Sequence, residues 1–383
     1  MAMVGSERRA ERNVPTLWHT IPSVLAVLVL ILITTSSSRF AVAFSTPASA
    51  SASTPIDMAE RPSQYYASFC ERLPSLEGKT VVITGCSRGL GFITARTVAS
   101  KGGRIIALNR ASERSTRALE QISERSGAGP PPTLVECDLT SFASVKSACR
   151  KVKEMTKDDG GIDILCCNAG VMLQLDTATV DGYDLTASTN MLSHFLIVKE
   201  LFPYLQTASA QSGESRVVTM SSASGYGDPP LDTRFFEQRG GALGGDTQSS
   251  YARYHQSKLA NLAFATALDR KMREGSSGNV LSLACTPGVC GSDMFLHATR
   301  VMSGRPTPRD RVPSVEDGAL AQLKCIFDPD IESGQLWGPS MGGRGDEFGL
   351  QNTVIGPPEI MVTQKSCDAV WKACEDAVGT FNI

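Results

Sequence analysis

The sequence predicts an α/β protein built on a doubly wound parallel sheet. Short apolar runs rich in β-branched residues recur along the chain without polar alternation, the pattern of strands buried on both faces. A helix-length segment separates each run from the next, and the first run ends in a glycine-rich turn. Right-handed crossovers then wind the helices over both faces of one sheet.

The elements follow in order. Residues 79–84 (Lys-Thr-Val-Val-Ile-Thr) read as the first strand, and 89–101 as a helix behind the glycine turn. The second strand is 104–109, followed by a charged amphipathic helix over 111–126. The third strand is 133–137 and its helix 141–155; the fourth strand is 162–167 and its long helix 185–205. The fifth strand is 215–220, followed by a helix over 251–274, and the sixth strand is 279–284. No internal repeat interrupts this series, so one domain is expected over 78–383, with a lead-in at 57–77.

Composition agrees with a packed domain. Hydrophobic residues make up 42% and charged residues 20%, enough for a core and too few charges for a disordered chain. Thirty-seven basic residues against 39 acidic ones leave a net charge of −2, which argues against a nucleic-acid partner. Four histidines, none spaced as a ligand pair, argue against a metal site. Eleven cysteines are an odd, scattered set, with Cys166 and Cys167 adjacent inside an apolar strand. They read as free thiols packing as small hydrophobes in a reducing compartment.

Residues 1–56 differ from the rest. Arg8, Arg9 and Arg12 precede an apolar run of thirteen residues from Ile21 to Ile33, short of the roughly 20 that a membrane span requires. Ala41-Val42-Ala43 supplies small residues for a signal peptidase, then Phe44 and a Ser/Ala-rich tract follow. This order resembles the two-part plastid leader of algae with secondary plastids. It lacks a basic residue between Arg39 and Arg61. The alternative is an uncleaved anchor at the endoplasmic reticulum, which would place the domain beside a membrane.

The turn Thr84-Gly85-Cys86-Ser87-Arg88-Gly89-Leu90-Gly91 leaves the first strand and opens a helix. Glycines allow the sharp turn and a close approach to a pyrophosphate, and the helix N-terminus offers free N–H groups to that anion. An acidic residue ending the second strand would bind ribose hydroxyls. Asn109 and Arg110 stand there instead, with Arg88 in the turn. Two cations and no carboxylate suit a 2′-phosphate, so NADPH/NADP+ is expected over NADH. Asp138, beside Leu139, is placed to accept the adenine amino group or to cap the next helix, a role for which Ser141 competes.

Tyr254 and Lys258 lie four apart on one helix, so phenol and ammonium share a face. A nearby cation is expected to lower the phenol's pKa from its ordinary value near 10. Ser221 and Ser222 end the fifth strand, Asn168-Ala169-Gly170 ends the fourth, and Asn190 lies in the long helix. Pro287-Gly288-Val289-Cys290-Gly291-Ser292 follows the sixth. Apart from Asn190 and the Tyr254–Lys258 pair, which lie on helices, these residues fall at the carboxyl ends of strands, where open α/β sheets bind ligands.

From Lys79 to Phe295 the chain resembles the short-chain dehydrogenase/reductase superfamily, whose motifs appear here in family order. The resemblance implies a Rossmann fold and a carbonyl–alcohol oxidoreductase. It implies Tyr254 as general acid/base and Lys258 as the group that tunes it and binds the nicotinamide ribose. It implies Ser222 as the carbonyl-orienting hydroxyl and Asn190 as the holder of a relay water. It further implies that Asn168 and Gly170 support the cofactor and that the stretch from Pro287 to Ser292 touches the nicotinamide, with Ser292 where the family usually has Thr. His194 and His255 receive no role.

Ser222 and Tyr254 are 32 positions apart. The insert between them, with Pro229-Pro230 and Phe235-Phe236, is expected to loop over the substrate cleft. This insert and the run Ser-Lys-Leu-Ala-Asn at 257–261 look like the branch of retinol dehydrogenases, WW-domain oxidoreductases and light-dependent protochlorophyllide reductases. The last of these usually has Cys directly after Pro-Gly and Tyr four residues before the catalytic Tyr; here Val289 and Ser250 stand there. A dark, retinol-dehydrogenase-like carbonyl reductase acting on a sizeable apolar small-molecule carbonyl or alcohol is therefore expected. Two alternatives are a protochlorophyllide reductase and a non-catalytic NADPH-binding sensor. Residues 296–313 read as a lid or an insertion, and the oligomeric state is not legible.

Overall fold

The computed structural model describes residues 61–127, 129–225, 230–275, 278–339, 348–354 and 362–383. The leader read over 1–56, the start of the lead-in and Pro229 lie outside the described residues.

Eight strands form one sheet in the order β3-β2-β1-β4-β5-β6-β7-β8. The six expected strands are β1 (Thr80–Thr84), β2 (Arg104–Asn109), β3 (Thr133–Glu136), β4 (Ile164–Cys167), β5 (Ser215–Met220) and β6 (Val280–Cys285). Their pairings are all parallel. Two strands were not expected: β7 (Gln335–Pro339) pairs parallel with β6, and β8 (Leu350–Val354) closes the edge antiparallel.

Alternate strand residues feed two separate cores. Val81, Ile83, Ile105, Ala107, Ile164, Cys166 and Val218 pack on one face. Val82, Ile106, Leu108, Leu165, Cys167 and Val217 pack on the other. Neighbouring cysteines 166 and 167 thus serve opposite layers, both almost fully buried. All eleven cysteines are free, ten of them buried, as expected for thiols used as core residues.

The first face is covered by α2 (Gly89–Ser100) and α3 (Glu113–Ser123), and by a helix near the C-terminus, Leu320–Phe327. A short helix α1 (Tyr66–Glu71) precedes β1. The second face carries α4 (Phe142–Thr156), α5 (Ser193–Ser212), α6 (Thr247–Glu274) and a C-terminal helix, Gln364–Val378. Side-chain caps fix the helix starts: Ser141 Oγ accepts from Ser144 N at 3.3 Å, and Asp246 Oδ1 from Ser249 N at 3.0 Å. Each such cap stabilises by about 1 kcal/mol. Asp246 thereby starts α6 four residues earlier than expected.

The long helix expected over 185–205 is not regular. A short turn, Leu185–Ala187, leads into a π-helical turn, Ser188–Leu192, before α5 begins. Asn190 sits at its centre. A π-turn shifts the backbone bonding pattern locally and re-aims side chains, which is why such turns cluster at functional sites.

Candidate active site

The glycine turn is built from β1 outward. Gly85 and Gly89 have φ of +73° and +60°, the left-handed region that favours glycine. At Gly91 a Cβ would meet Asn168 Nδ2 and Gly85 O at 2.4 Å each, so only glycine fits. Gly89 has nothing within 4 Å of where its Cβ would be, and it opens α2. The residues present fit a dinucleotide: Gly85, Ser87, Arg88, Gly89, Leu90 and Gly91 form a cradle at a helix N-terminus.

The expected cofactor residues divide into braces and surface cations. Asn109 is buried; its Oδ1 accepts from Cys86 N at 3.0 Å, so its side chain braces the turn. Asn168 Nδ2 donates to Thr84 O at 2.9 Å and to Gly85 O at 3.2 Å. Ala169 packs against Gly85, where an added Cβ would come within 2.8 Å of it. Arg110 is exposed, and the half-exposed Arg88 forms a 3.3 Å ion pair with Asp293. Asp138 Oδ1 accepts from Thr140 N and Oγ1 at 2.9 and 2.8 Å in a local turn, and Ser141 takes the capping role. The buried Leu139 carbonyl accepts from Ser188 Oγ at 3.1 Å and Ser193 Oγ at 2.7 Å, tying β3's exit to the π-turn.

Two residues given no role in the sequence join these parts. Thr84 Oγ1 accepts from Asn168 N and Ala169 N, both at 3.0 Å, and lies 2.9 Å from His194 Nε2. His194 Nδ1 lies 3.1 Å from the Asn190 carbonyl. A carbonyl only accepts, so Nδ1 carries the proton, and Thr84 donates its hydroxyl proton to the bare Nε2. Burial pushes the imidazole down to about 4, which keeps it neutral. A histidine recurring one turn after Asn190 was the available signal. Its partner, Thr84, is 110 residues away.

Asn190, Lys258, Ser222 and Tyr254 meet at the carboxyl edge. Asn190 Oδ1 accepts from Val171 N at 2.8 Å, and its Nδ2 donates to Val171 O and Ser257 Oγ, both at 2.9 Å. A Cβ on Gly170 would lie 3.4 Å from both Asn190 Oδ1 and Lys258 Nζ. Ser221 is spent on the Lys258 carbonyl at 2.8 Å, whereas Ser222 is close enough to the Tyr254 phenol to pull its pKa down. That supports the second serine of the pair over the first.

One expectation is corrected. Tyr254 is buried, and burial pushes its phenol up to about 12, even though Ser222 pulls the other way. Burial also pushes Lys258 down to about 8. Lys258 Nζ donates to the Met220 carbonyl at 2.9 Å and lies 5.9 Å from the Tyr254 ring centroid. Desolvation outweighs the ammonium's pull at that distance, so the chain by itself keeps the phenol protonated at neutral pH.

The segment after β6 is ordered. Gly288 has φ +64°. Val289 is half-buried beside Pro287, and Ser292 caps a helix, Asp293–Ser303, so residues 296–303 are helical. Arg309 donates to Gly291 O at 2.7 Å and pairs with Asp293, which fastens the rest of the expected lid to the Pro-Gly stretch. The insert is also fastened. Phe236 is buried, and Phe235 packs against the same core rather than over the cleft. Gly241, Leu243 and Gly244 donate their N–H groups to Asp176 at 2.7–3.1 Å. A fully buried ion pair, Arg253–Asp184 at 3.2 Å, locks α6 to the start of the π-helical region. Among the described residues no helix is long and apolar enough to cross a membrane, and no cluster of potential metal ligands occurs.

Comparison with known proteins points the same way. A family model for short chain dehydrogenases matches residues 79–231. Polyprenol dehydrogenase of Mus musculus is 31% identical over 276 residues, 71% of this chain and 76% of that protein. Retinol dehydrogenase 14 of Mus musculus is 30% identical over 286 residues, 69% of this chain and 78% of that protein. A crystal structure of an uncharacterized protein from Mycobacterium paratuberculosis superposes with a TM-score of 0.62 at 27% identity. It covers 82% of this chain and 98% of that one.

Proposed function

The chain belongs to the short-chain dehydrogenase/reductase family, in its retinol dehydrogenase-like branch, and from that premise we propose the following reaction for this oxidoreductase. It uses NADP(H) and interconverts a carbonyl and an alcohol on an apolar substrate of retinol or polyprenol type, with Tyr254 as general acid/base. The observation that carries this reading is the buried Tyr254 phenol, close to Ser222 and one helical turn from Lys258.

The nicotinamide supplies the hydride and, when oxidised, a positive charge. The chain's residues handle the proton and the developing oxyanion. Tyr254, protonated at neutral pH, is poised to give its proton to the carbonyl oxygen. Ser222 Oγ and the Tyr254 phenol both stabilise charge on that oxygen. Lys258, with a pKa about 8, stays largely cationic at pH 7 and favours the phenolate left behind. Arg88 and Arg110, set against no carboxylate at the end of β2, support NADPH over NADH.

The test is NADPH consumption by the purified protein with aldehydes and ketones including retinal, and with protochlorophyllide in light and in darkness. Dark turnover of an aldehyde or ketone is expected. In Tyr254→Phe it should fall by roughly 10²–10⁴-fold with NADPH affinity kept. Turnover only in light, or none on any substrate, would sink this reading. No observation favours those alternatives. For residues 1–56 we propose a plastid address, which a fluorescent fusion of that stretch tests; retention at the endoplasmic reticulum would refute it.

A further inference from the structure

Beyond Ser222 the fifth strand leaves through a single turn, Ala223–Gly225. That turn is pressed onto α6: a Cβ on Gly225 would lie 2.8 Å from the Lys258 carbonyl carbon. Ser221 Oγ, Lys258 Nζ and Asn261 Nδ2 pin the same junction, donating to Lys258 O, Met220 O and Met220 O at 2.8, 2.9 and 2.9 Å. Ser224 is therefore held in fixed register with Tyr254.

Ser224 gives Ser222 two hydrogen bonds. Its backbone N–H donates to Ser222 Oγ at 3.2 Å, and its own hydroxyl donates to the same oxygen at 3.0 Å. A serine oxygen has two acceptor positions and one proton. With both acceptor positions filled, Ser222 has only its proton left to offer, and the Tyr254 phenol, whose pKa it lowers, lies nearby. Ser224 also lies near both phenols, pulling the pKa of Tyr251 and of Tyr254 down, and the two ring centroids are 6.5 Å apart.

We propose that Ser224 is a positioning residue that fixes Ser222 as a hydrogen-bond donor toward the reacting oxygen. The inference rests on the oxidoreductase reading of the site. Donation runs from Ser224 to Ser222, and the bonds Ser222 accepts polarise the one it gives. Its benefit is greatest when negative charge builds on the substrate oxygen, so it acts on turnover and not on cofactor binding.

The experiment uses the full-length protein with retinal and decanal, measuring kcat, KM and NADPH affinity. Ser224→Ala is expected to lower kcat by roughly tenfold, since the backbone donor remains, while NADPH affinity stays within about twofold. Ser224→Thr, which keeps the hydroxyl, should recover most of the loss. In a Ser222→Ala background, Ser224→Ala should cost nothing further, because the hydroxyl it orients is gone. A merely structural role would give the same loss in both backgrounds, and that result would overturn the inference. So would a normal kcat in Ser224→Ala when Ser222→Ala is impaired, with the oxidoreductase reading intact. A normal kcat in Ser222→Ala would overturn both.

Discussion

At the end of β1, Thr84 Oγ1 accepts two backbone N–H groups and gives its proton to His194, which passes its own to the Asn190 carbonyl. At the end of β5, Tyr254 and Lys258 are just as deeply buried, but burial pushes the phenol up to about 12 and the ammonium down to about 8. Both regions line the same edge of one sheet. In the first, every proton named has a partner within the chain and the groups are comfortably neutral. In the second, Lys258 is held charged at a desolvation cost that its one carbonyl partner does not offset. The β1 end is a scaffold for a cofactor. The β5 end keeps an electrostatic cost that chemistry uses.

The contrast predicts opposite signs for mutations at the two ends. Lys258→Met removes the buried charge, and Met220 O still accepts from Asn261 Nδ2. Turnover should fall by roughly 10²–10⁴-fold. Stability to urea at pH 7 should rise, by up to about 3 kcal/mol from the displaced pKa. The gain should shrink between pH 8 and 10.5. There the folded lysine is already neutral while the unfolded one still binds a proton, so wild-type stability rises with pH. A Lys258→Met variant less stable than wild type at pH 7 would break the comparison.

Thr84→Val tests the other end. It leaves the N–H groups of Asn168 and Ala169 without their acceptor, at roughly 1–3 kcal/mol for each. Stability should drop and NADPH affinity weaken, with the residual kcat at saturating cofactor close to wild type. A variant with normal stability and a collapsed kcat would mean that Thr84 belongs functionally with Tyr254.

The two ends also differed in how far the sequence disclosed them. The buried strands were legible because a β-branched run without alternation is a signal within a few residues, as in Val81-Val82-Ile83. Tyr254 and Lys258 were legible through their spacing, Ser222 and Asn190 through the family resemblance, and the four lie close together. β8 was not, because Leu-Gln-Asn-Thr-Val has neither the composition nor the alternation of a strand and is held by pairing with β7. The π-turn was not, because its residues read as ordinary helix. The α6 start at Thr247 carried a readable cap in Asp246. The pKa of Tyr254 was expected with the wrong sign, since the cation four residues away is in the sequence and the depth of burial is not. Ser224 sits in a loop with no pattern at all.

His194 gives a smaller and cleaner measure of the scaffold end. Its folded pKa, about 4, lies below the ordinary value of 6.5. Between those values the unfolded chain binds a proton that the folded chain refuses, so stability falls as pH drops from 6.5 toward 4. The loss from this residue alone amounts to at most about 3 kcal/mol. His194→Gln keeps a polar group in place and cannot titrate. The difference in unfolding free energy between variant and wild type should therefore slope across that window and flatten above pH 7. A difference that stays constant with pH would mean that the imidazole is not held neutral and the proton assignment to Nδ1 fails.

The smallest effect is expected at the outer rim, where the two ends touch. Asp293 opens the helix Asp293–Ser303 and pairs with Arg88 of the glycine turn and with Arg309. The Arg88 and Asp293 side chains are 60% and 50% exposed, so the pair is worth about 0–1 kcal/mol. A 2′-phosphate would compete with Asp293 for the same guanidinium. Asp293→Asn should therefore leave the unfolding midpoint nearly unchanged and raise the preference for NADPH over NADH by roughly two- to fivefold at low salt. The gain should fade as salt screens the rim. Arg88→Ala should reduce the preference instead, and in that background Asp293→Asn should do nothing. If Asp293→Asn shifts discrimination equally with and without Arg88, then Arg88 is not the group that reads the phosphate, and Arg110 alone has to carry it.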